Sequence, residues 1–250
     1  MGNNQGLLKE DEMVMHLHNK KVGELSNNIT YMMKELYGAL DENEVIQCHK
    51  TEDSVKPDFI IQYKGIIKNV SMKSGRSEIV HQEIIKNFVL YLRSLGVSSK
   101  TQRTILLYQF GDGTMDGSAD KRMSYEKLRL LMKDRIDEAN LELNAHNDFI
   151  WKVVERCVFI GTLKNAPEAD ALYHGDYEFG RVVTRKQVQK HIMRKNWNFY
   201  NNLHIGPLQI RPSARYIGKE IASEKRRHRV ELYWPHLRED IDFIARRYDD

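Results

Sequence analysis

An aspartate and a lysine that stand fifteen residues apart, Asp58 and Lys73, are the side chains of this chain best suited to chemistry. A carboxylate can hold Mg²⁺, which prefers oxygen ligands and keeps several of its waters. A lysine beside it can orient a water molecule and offset the charge that develops on a phosphate. The pair therefore predicts a metal-assisted attack on a phosphodiester, with an ordinary surface hairpin as the alternative.

Two short runs rich in β-branched residues must position this pair. Residues 58–63 and 66–73 flank a turn signal at Gly65, so we expect a β-hairpin. The turn lies at the far end of both runs. The hairpin therefore brings Asp58 and Lys73 to the same open end.

Pro57-Asp58, a strand that ends at Lys73 and a helix after it resemble the motif of the PD-(D/E)XK nuclease superfamily, which includes many restriction endonucleases. The resemblance covers roughly residues 20–110. It implies that Asp58 binds metal, while Lys73 positions the attacking water and stabilises phosphate charge. The motif has a second acid two residues before the lysine, where this chain has Ser71. The chain is therefore similar to a Ser-X-Lys variant, in which Ser71 marks the displaced acid.

The resemblance implies that another carboxylate replaces the missing acid. In the Ser-X-Lys variant the following helix supplies it, which indicates Glu83 or, as an alternative, Glu78. A glutamate on the helix before the sheet often stands beside the metal in this superfamily, and Glu24 is the candidate for that place. A solvent-facing glutamate at a helix start is the other interpretation of Glu24. The implied cofactor is Mg²⁺, with Mn²⁺ as a substitute.

The elements around the motif predict an α/β (α+β) fold with a mixed central β-sheet flanked by helices. Apolar residues at three- and four-residue spacing predict helices within residues 7–40, 79–95 and 124–143. A near-continuous apolar run at 104–110 predicts a buried central strand. This order of elements fits the core that the resemblance implies.

Charge is distributed unevenly along the chain. Residues 1–60 carry eleven acidic and six basic residues, whereas residues 181–229 carry thirteen basic and two acidic residues. This asymmetry predicts a polyanionic partner, with a solvated surface of scattered charges as the alternative. We expect a nuclease core at 1–160 and, beyond the loop-rich stretch 161–180, a basic nucleic-acid-binding α+β part at 161–250, unless the two form one continuous domain.

Polar and basic residues near the predicted catalytic strand, and in the basic part, are the predicted nucleic-acid contacts. A capping box of Thr184 and Gln187 predicts a basic helix that begins at residue 185. A second basic segment lies between two predicted strands, as in a phosphate clamp. The predicted contacts are Ser74, Arg76, Gln82, Arg185, Lys186, Lys190, Lys225, Arg226 and Arg227.

Composition excludes several classes of protein. Cys48 and Cys157 lie far apart and form no CxxC motif, which argues against a zinc cluster or a disulfide framework and fits a reducing compartment. We see no run long enough to span a membrane and no signal peptide. The sequence therefore predicts a cytoplasmic protein without a membrane partner.

These observations together predict a Mg²⁺-dependent DNA endonuclease of the type II restriction or phage-defence kind. A double-strand cutter needs two active sites, so we expect a homodimer. Three alternatives stay open: a nuclease-fold protein that binds DNA without cutting it, an RNA-directed nuclease, and an interaction protein with a basic surface.

Overall fold

The structure is a computed structural model that describes residues 5–52, 55–74, 78–119, 122–197, 202–213 and 226–248. The predicted contacts Arg76 and Lys225 lie outside these residues. Among the described helices, none has both the length and the apolar character needed to cross a membrane.

The chain divides into two compact units, each assembled from separate stretches of sequence. Unit 1 comprises Met1–Glu78, Val154–His191 and His236–Asp250, and unit 2 comprises Ile79–Val153 and Ile192–Pro235. Each unit draws residues from both sides of position 161, near which the sequence predicts a domain boundary.

The described helices and strands are as follows in chain order. The strands are β1 (Gln47–Lys50), β2 (Phe59–Tyr63), β3 (Ile66–Lys73), β4 (Ile79–Ile84), β5 (Ala171–Gly175), β6 (Gly180–Thr184), β7 (His204–Ile205), β8 (Leu208–Pro212) and β9 (Arg229–Tyr233). The α-helices are α1 (Gln5–Leu17), α2 (Asn27–Tyr37), α3 (Ile85–Ser94), α4 (Ser99–Phe110), α5 (Tyr125–Leu131), α6 (Lys133–Leu143), α7 (Asn147–Glu155), α8 (Arg185–Arg194) and α9 (Leu237–Arg247).

Unit 1 is built on a five-stranded mixed sheet with the strand order β1-β2-β3-β5-β6. β3 and β5 are parallel, and the other neighbouring strands are antiparallel. Helix α1 packs against β1, while α2 and α9 pack against β6. Alternate residues of the strands, such as Phe59, Ile61, Val70 and Met72, are buried with the apolar stripes of α1 and α2. The predicted mixed α/β class is therefore confirmed.

The predicted β2–β3 hairpin is confirmed together with its turn. Lys64 and Gly65 have φ angles of 47° and 76°. Positive φ at both central residues is the requirement of a type I′ turn, which matches the twist of the two strands. The register pairs Tyr63 with Ile66 and Phe59 with Val70, so the residues before β2 lie beside the end of β3.

Unit 2 contains a four-stranded antiparallel sheet with the order β4-β9-β8-β7. Helix α3 contacts β9, α4 contacts β8, and α6 contacts β7. All three tryptophans of the chain belong to this unit and are buried, namely Trp151, Trp197 and Trp234.

Three predictions about elements are wrong. Residues 79–84 form β4 rather than the start of a helix, because they pair with β9. The apolar run 104–110 belongs to helix α4, which begins at an N-cap, Ser98, whose hydroxyl accepts a bond from Thr101 N–H at 3.3 Å. The stretch 161–180 contains strand β5, whose parallel pairing with β3 joins residues about a hundred positions apart.

Candidate functional site

The open end of the β2–β3 hairpin holds Asp58 against the last residues of β3. The Asp58 backbone N–H donates to Val70 O at 2.8 Å. Its carboxylate oxygen Oδ2 accepts one bond from Ser71 Oγ at 3.2 Å and a second from Met72 N–H at 2.5 Å. Lys73 is the next and final residue of β3. The expected proximity of Asp58 to the end of this strand is therefore observed.

Ser71 occupies the position where the resembled motif has an acid. The residue is fully buried, and its hydroxyl is the donor to Asp58. Ser71 therefore contributes no charge at this end of the sheet but orients the Asp58 carboxylate.

A second carboxylate, that of Glu10 on α1, belongs to the same region. Glu10 and Asp58 both line a cavity of 320 Å³. Glu10 Oε2 lies 3.3 Å from Lys50 Nζ, and the Glu10 side chain is 17% exposed. Burial raises the pKa of the Glu10 carboxyl, the charge of Asp58 raises it further, and Lys50 and Lys73 oppose both effects without cancelling them.

A further lysine, Lys56, stands two residues before Asp58. Burial lowers the pKa of Lys56 to about 7, and the positive charge of Lys73 acts in the same direction. Cys157 and Asp58 oppose the shift. Three lysines, Lys50, Lys56 and Lys73, and the carboxylates of Glu10 and Asp58 thus belong to one set of interacting charges in unit 1.

Neither Glu10 nor Lys56 is among the site residues predicted from the sequence. Glu10 precedes the buried residues Met13 and Leu17 by three and seven positions, so it falls on the apolar stripe of α1. A charged residue within such a stripe is the signal that could have identified it. No comparable signal marks Lys56, because groups that act on it, such as Lys73 and Cys157, are distant in sequence.

Glu24 does not occupy the place that the sequence-based analysis assigned to it. The residue is exposed and belongs to a short 3₁₀ turn, Val22–Glu24, rather than to an α-helix. Its Oε2 accepts a bond from the backbone N–H of Lys21 at 3.2 Å. The structure therefore favours the alternative interpretation, a capping residue in contact with solvent.

Glu83 lies on a strand of unit 2 and not in the first turns of a helix. It is buried on β4, opposite Val230, and its Oε1 lies 3.3 Å from Nε2 of His81, two residues earlier on the same face. The structure does not place Glu83 in the unit that contains Asp58. The alternative, Glu78, belongs to unit 1, where its charge acts on His174.

The predicted nucleic-acid contacts differ in how far their charges are already neutralised. Arg185 bonds Glu155 Oε1 at 2.8 Å and Glu168 Oε2 at 2.5 Å. Arg227 is buried, and its Nη2 lies 2.8 Å from Asp112 Oδ2. Both arginines therefore have carboxylate partners within their own units, and their contact with nucleic acid stays a prediction.

The other predicted nucleic-acid contacts that the structure describes are more accessible to solvent than Arg227. Lys186 and Arg226 are exposed, and Ser74 is half-buried just after β3. Lys190 Nζ lies 5.8 Å from the centre of the Tyr248 ring. Gln82 is exposed on β4 and donates to Glu231 Oε1 at 2.9 Å.

Carboxylates are the side chains of this cluster that suit a divalent cation. Among the described residues, no group of three or more His, Cys, Asp or Glu side chains is arranged to hold a metal ion. Mg²⁺ is commonly bound through one or two carboxylates, its own waters and substrate phosphates. Asp58 and Glu10, which line one cavity, fit this smaller requirement.

Comparisons with known proteins give a structural likeness to a restriction endonuclease. No protein-family model matches the chain, and no curated protein matches its sequence. The chain is similar to the restriction endonuclease MspI in a crystal structure with its cognate DNA, with 12% identity, 93% of each chain covered and a TM-score of 0.49. Because one fold can host unrelated functions, the chemistry is argued from the residues of this chain.

Proposed function

We propose that this chain is a divalent-metal-dependent nuclease that hydrolyses phosphodiester bonds in DNA. One observation carries the proposal. Ser71 Oγ and Met72 N–H hold the Asp58 carboxylate at the end of the strand that finishes with Lys73, and Glu10 lines the same cavity as Asp58.

Each residue of this cluster has a distinct part in the proposed chemistry. Asp58 and Glu10 would hold the cation, with Mg²⁺ as the expected ion and Mn²⁺ as a substitute. The bound ion supplies Lewis acidity and a nucleophile at neutral pH. Lys73 orients the attacking water and offsets the charge that develops on the phosphate. Ser71 fixes the direction of the Asp58 carboxylate.

DNA is the proposed substrate because the chain carries a long basic stretch. Residues 181–229 contain thirteen basic and two acidic residues. Lys186 and Arg226 of this stretch are exposed. Exposed lysines and arginines release counterions from the phosphate backbone and supply sequence-independent affinity. Within the DNA nucleases we propose a restriction or phage-defence type that acts as a homodimer, since a double-strand cut needs two active centres.

A second candidate function is DNA binding without cleavage. The observation that favours it is the buried hydroxyl of Ser71 at the position of an acid, in a described structure with no three-residue metal-ligand group. This candidate predicts DNA affinity with a steep salt dependence and no cut products.

Cleavage of a mixed panel in the presence of Mg²⁺ separates the two candidates. The panel contains supercoiled plasmid, modified and unmodified phage DNA, and RNA. The wild type is compared with Asp58→Asn, Lys73→Ala and Glu10→Gln, and with Glu24→Gln as a matched control for the loss of a carboxylate.

The nuclease proposal expects cleavage by the wild type and by Glu24→Gln. It expects losses of about 10²–10³-fold in the rates of Asp58→Asn and Lys73→Ala, the usual cost of removing one group that stabilises transition-state charge. A wild type that binds DNA tightly but never cuts any member of the panel would contradict it and favour the second candidate. Cleavage of RNA alone would replace the substrate and keep the site.

A further inference from the structure

A second cavity in unit 1, of 720 Å³, lies beside the β5–β6 hairpin. Its walls come from α2, from the hairpin and from α9. The volume is in the range of sites that bind small organic molecules, about 300–1,000 Å³. Its lining includes Tyr31, His174, Phe179, Arg181, Arg238 and Arg246.

A row of residues in register joins this cavity to the candidate catalytic lysine. Lys73 on β3 is paired with His174 on β5, and His174 is paired with Arg181 on β6. Neighbouring strands lie about 4.8 Å apart, so the backbone of Arg181 is about 10 Å from that of Lys73. A nucleic-acid strand bound at Lys73 therefore has the cavity within reach of its next nucleotides.

Two arginines of α9 offer charge to this cavity. Arg238 and Arg246 are exposed, and they share a helix face with Asp242 because the three residues are spaced by four positions. Within the described residues, neither arginine has an ion-pair partner. These guanidinium groups can therefore bind a phosphate without first losing a carboxylate partner.

The third arginine, Arg181, lies with its guanidinium carbon 5.5 Å from the centre of the Tyr31 ring. Asp176 is one of the acidic residues that line the cavity, and its carboxylate already accepts hydrogen bonds from within the chain. Its Oδ1 accepts bonds from Glu178 N–H at 3.1 Å and Phe179 N–H at 3.0 Å, and its Oδ2 accepts from Lys9 Nζ at 3.3 Å.

Phe179 at the turn of the β5–β6 hairpin exposes a large aromatic surface. The residue is 79% exposed, the highest exposure among the large hydrophobic residues described. Phe179 contributes to the turn through its backbone, since Phe179 O accepts from Asp176 N–H at 2.9 Å and Phe179 N–H donates to Asp176 Oδ1. The ring is therefore not needed for the turn and is available to stack.

We propose that this cavity is a subsite for one unpaired nucleotide of the DNA strand that crosses the catalytic edge, an inference that rests on the proposed nuclease function. Arg238 and Arg246 bind its phosphate, and Phe179 stacks on its base. Aromatic side chains that stack on bases beside a basic groove are the usual means of holding a single strand. The nucleotide must be unpaired, because a base inside a duplex does not offer its face to a protein ring.

The stacking contact is tested by fluorescence anisotropy with a labelled oligothymidine in EDTA, so that binding is read without cleavage. Phe179→Ala is expected to weaken binding by about 5- to 100-fold, the usual loss on removing one stacking ring. Phe179→Trp is expected to retain affinity. On an abasic strand of equal length, Phe179→Ala is expected to bind as the wild type does.

The phosphate contacts are tested by the salt dependence of the same binding. Each of Arg238→Ala and Arg246→Ala is expected to reduce the slope of log K against log salt by about 0.7, the value for one phosphate of a single strand. Arg247→Ala is the matched control, because Arg247 is an exposed neighbour on α9 that does not line the cavity. It is expected to leave the slope unchanged.

The failure of this inference is distinguishable from the failure of the nuclease proposal. Wild-type affinity in Phe179→Ala, Arg238→Ala and Arg246→Ala would overturn the subsite, and Mg²⁺-dependent plasmid cleavage would still stand. If these variants bind more weakly than the wild type and the wild type cuts no DNA, the subsite is supported and the nuclease proposal is contradicted. A wild type that binds no oligothymidine would overturn the subsite, whereas the cleavage panel alone decides the nuclease proposal.

Discussion

Two aspartates of this chain accept similar hydrogen bonds and differ in what their carboxylates face. Asp58 in unit 1 is held by Ser71 Oγ and a backbone N–H. Asp112 in unit 2 is likewise held by the hydroxyl of Thr114 at 2.8 Å and by its backbone N–H at 2.9 Å. Asp112 also bonds the buried Arg227, whereas Asp58 lines a cavity.

The comparison separates a structural carboxylate from a candidate metal ligand. Burial raises the pKa of Asp112, but its bonds to Thr114 and Arg227 outweigh burial and hold the pKa below its ordinary value. An arginine neutralises this carboxylate inside the unit. At Asp58 the neighbouring charges are those of Glu10 and of lysines, with Lys50 Nζ 3.3 Å from Glu10. Both carboxylates line a cavity, where a metal ion can reach them.

The largest expected effect comes from breaking the internal pair of unit 2. Arg227→Ala leaves the Asp112 charge buried without its arginine and is expected to lower the free energy of unfolding by about 3–5 kcal/mol. Denaturant unfolding followed by tryptophan fluorescence measures it, because all three tryptophans lie in this unit. Arg226→Ala, an exposed neighbour, is the control and is expected to stay within about 0.5 kcal/mol. Equal losses of stability in both variants would contradict a structural role for the Arg227–Asp112 pair.

A smaller effect is expected when a carboxylate is added beside Asp58 in unit 1. Ser71→Asp places a carboxylate in a fully buried position, 3.2 Å from Asp58 in the wild type. Without metal the like charges are expected to lower the free energy of unfolding of unit 1 by about 1–3 kcal/mol. Millimolar Mg²⁺ is expected to recover most of the loss, because a ligand that binds only the folded state stabilises it. Thermal unfolding followed by circular dichroism, with Mg²⁺ and with EDTA, measures the loss of stability of the variant relative to the wild type. A loss that is the same in Mg²⁺ and in EDTA would count against a cation at this site.

The smallest effect is a pH dependence in unit 2. Burial lowers the pKa of His204 from 6.5 to about 4, although its bond to Gly206 O acts in the opposite direction. Below pH 6.5 His204 therefore binds a proton in the unfolded chain but not in the folded chain. The free energy of unfolding falls as the pH falls. We expect a loss of about 1.5 kcal/mol between pH 6.5 and about pH 5, measured by tryptophan fluorescence. His204→Asn removes this titration and is expected to flatten the profile; an unchanged profile would place the acid sensitivity elsewhere.

Local signals predicted much of the frame that carries the site. The turn at Lys64-Gly65 and the Thr184–Gln187 capping box are both observed. Each depends on residues only a few positions apart, so its energetics can be read from neighbouring side chains. The approach of Asp58 to the end of β3 followed from the hairpin turn alone.

Features that depend on distant residues were not predictable in the same way. The apolar run 104–110 is compatible with a buried strand or a buried helix, and only its N-cap at Ser98 distinguishes them. The 79–84 segment pairs with β9, which lies some 150 positions away. The place of Glu10 within the apolar stripe of α1 is a local signal, but its approach to the cavity of Asp58 depends on the packing of α1 beside β1, which joins distant residues.

The most direct test of the central claim is the binding of Mn²⁺ in the absence of DNA, followed by electron paramagnetic resonance. Asp58→Asn and Glu10→Gln are each expected to weaken Mn²⁺ binding by about tenfold or more, since each removes one of two carboxylate ligands. Glu24→Gln and Glu83→Gln are expected to bind as the wild type does. Unchanged affinity in Asp58→Asn and Glu10→Gln, or a loss confined to Glu83→Gln, would contradict the assignment of the metal site.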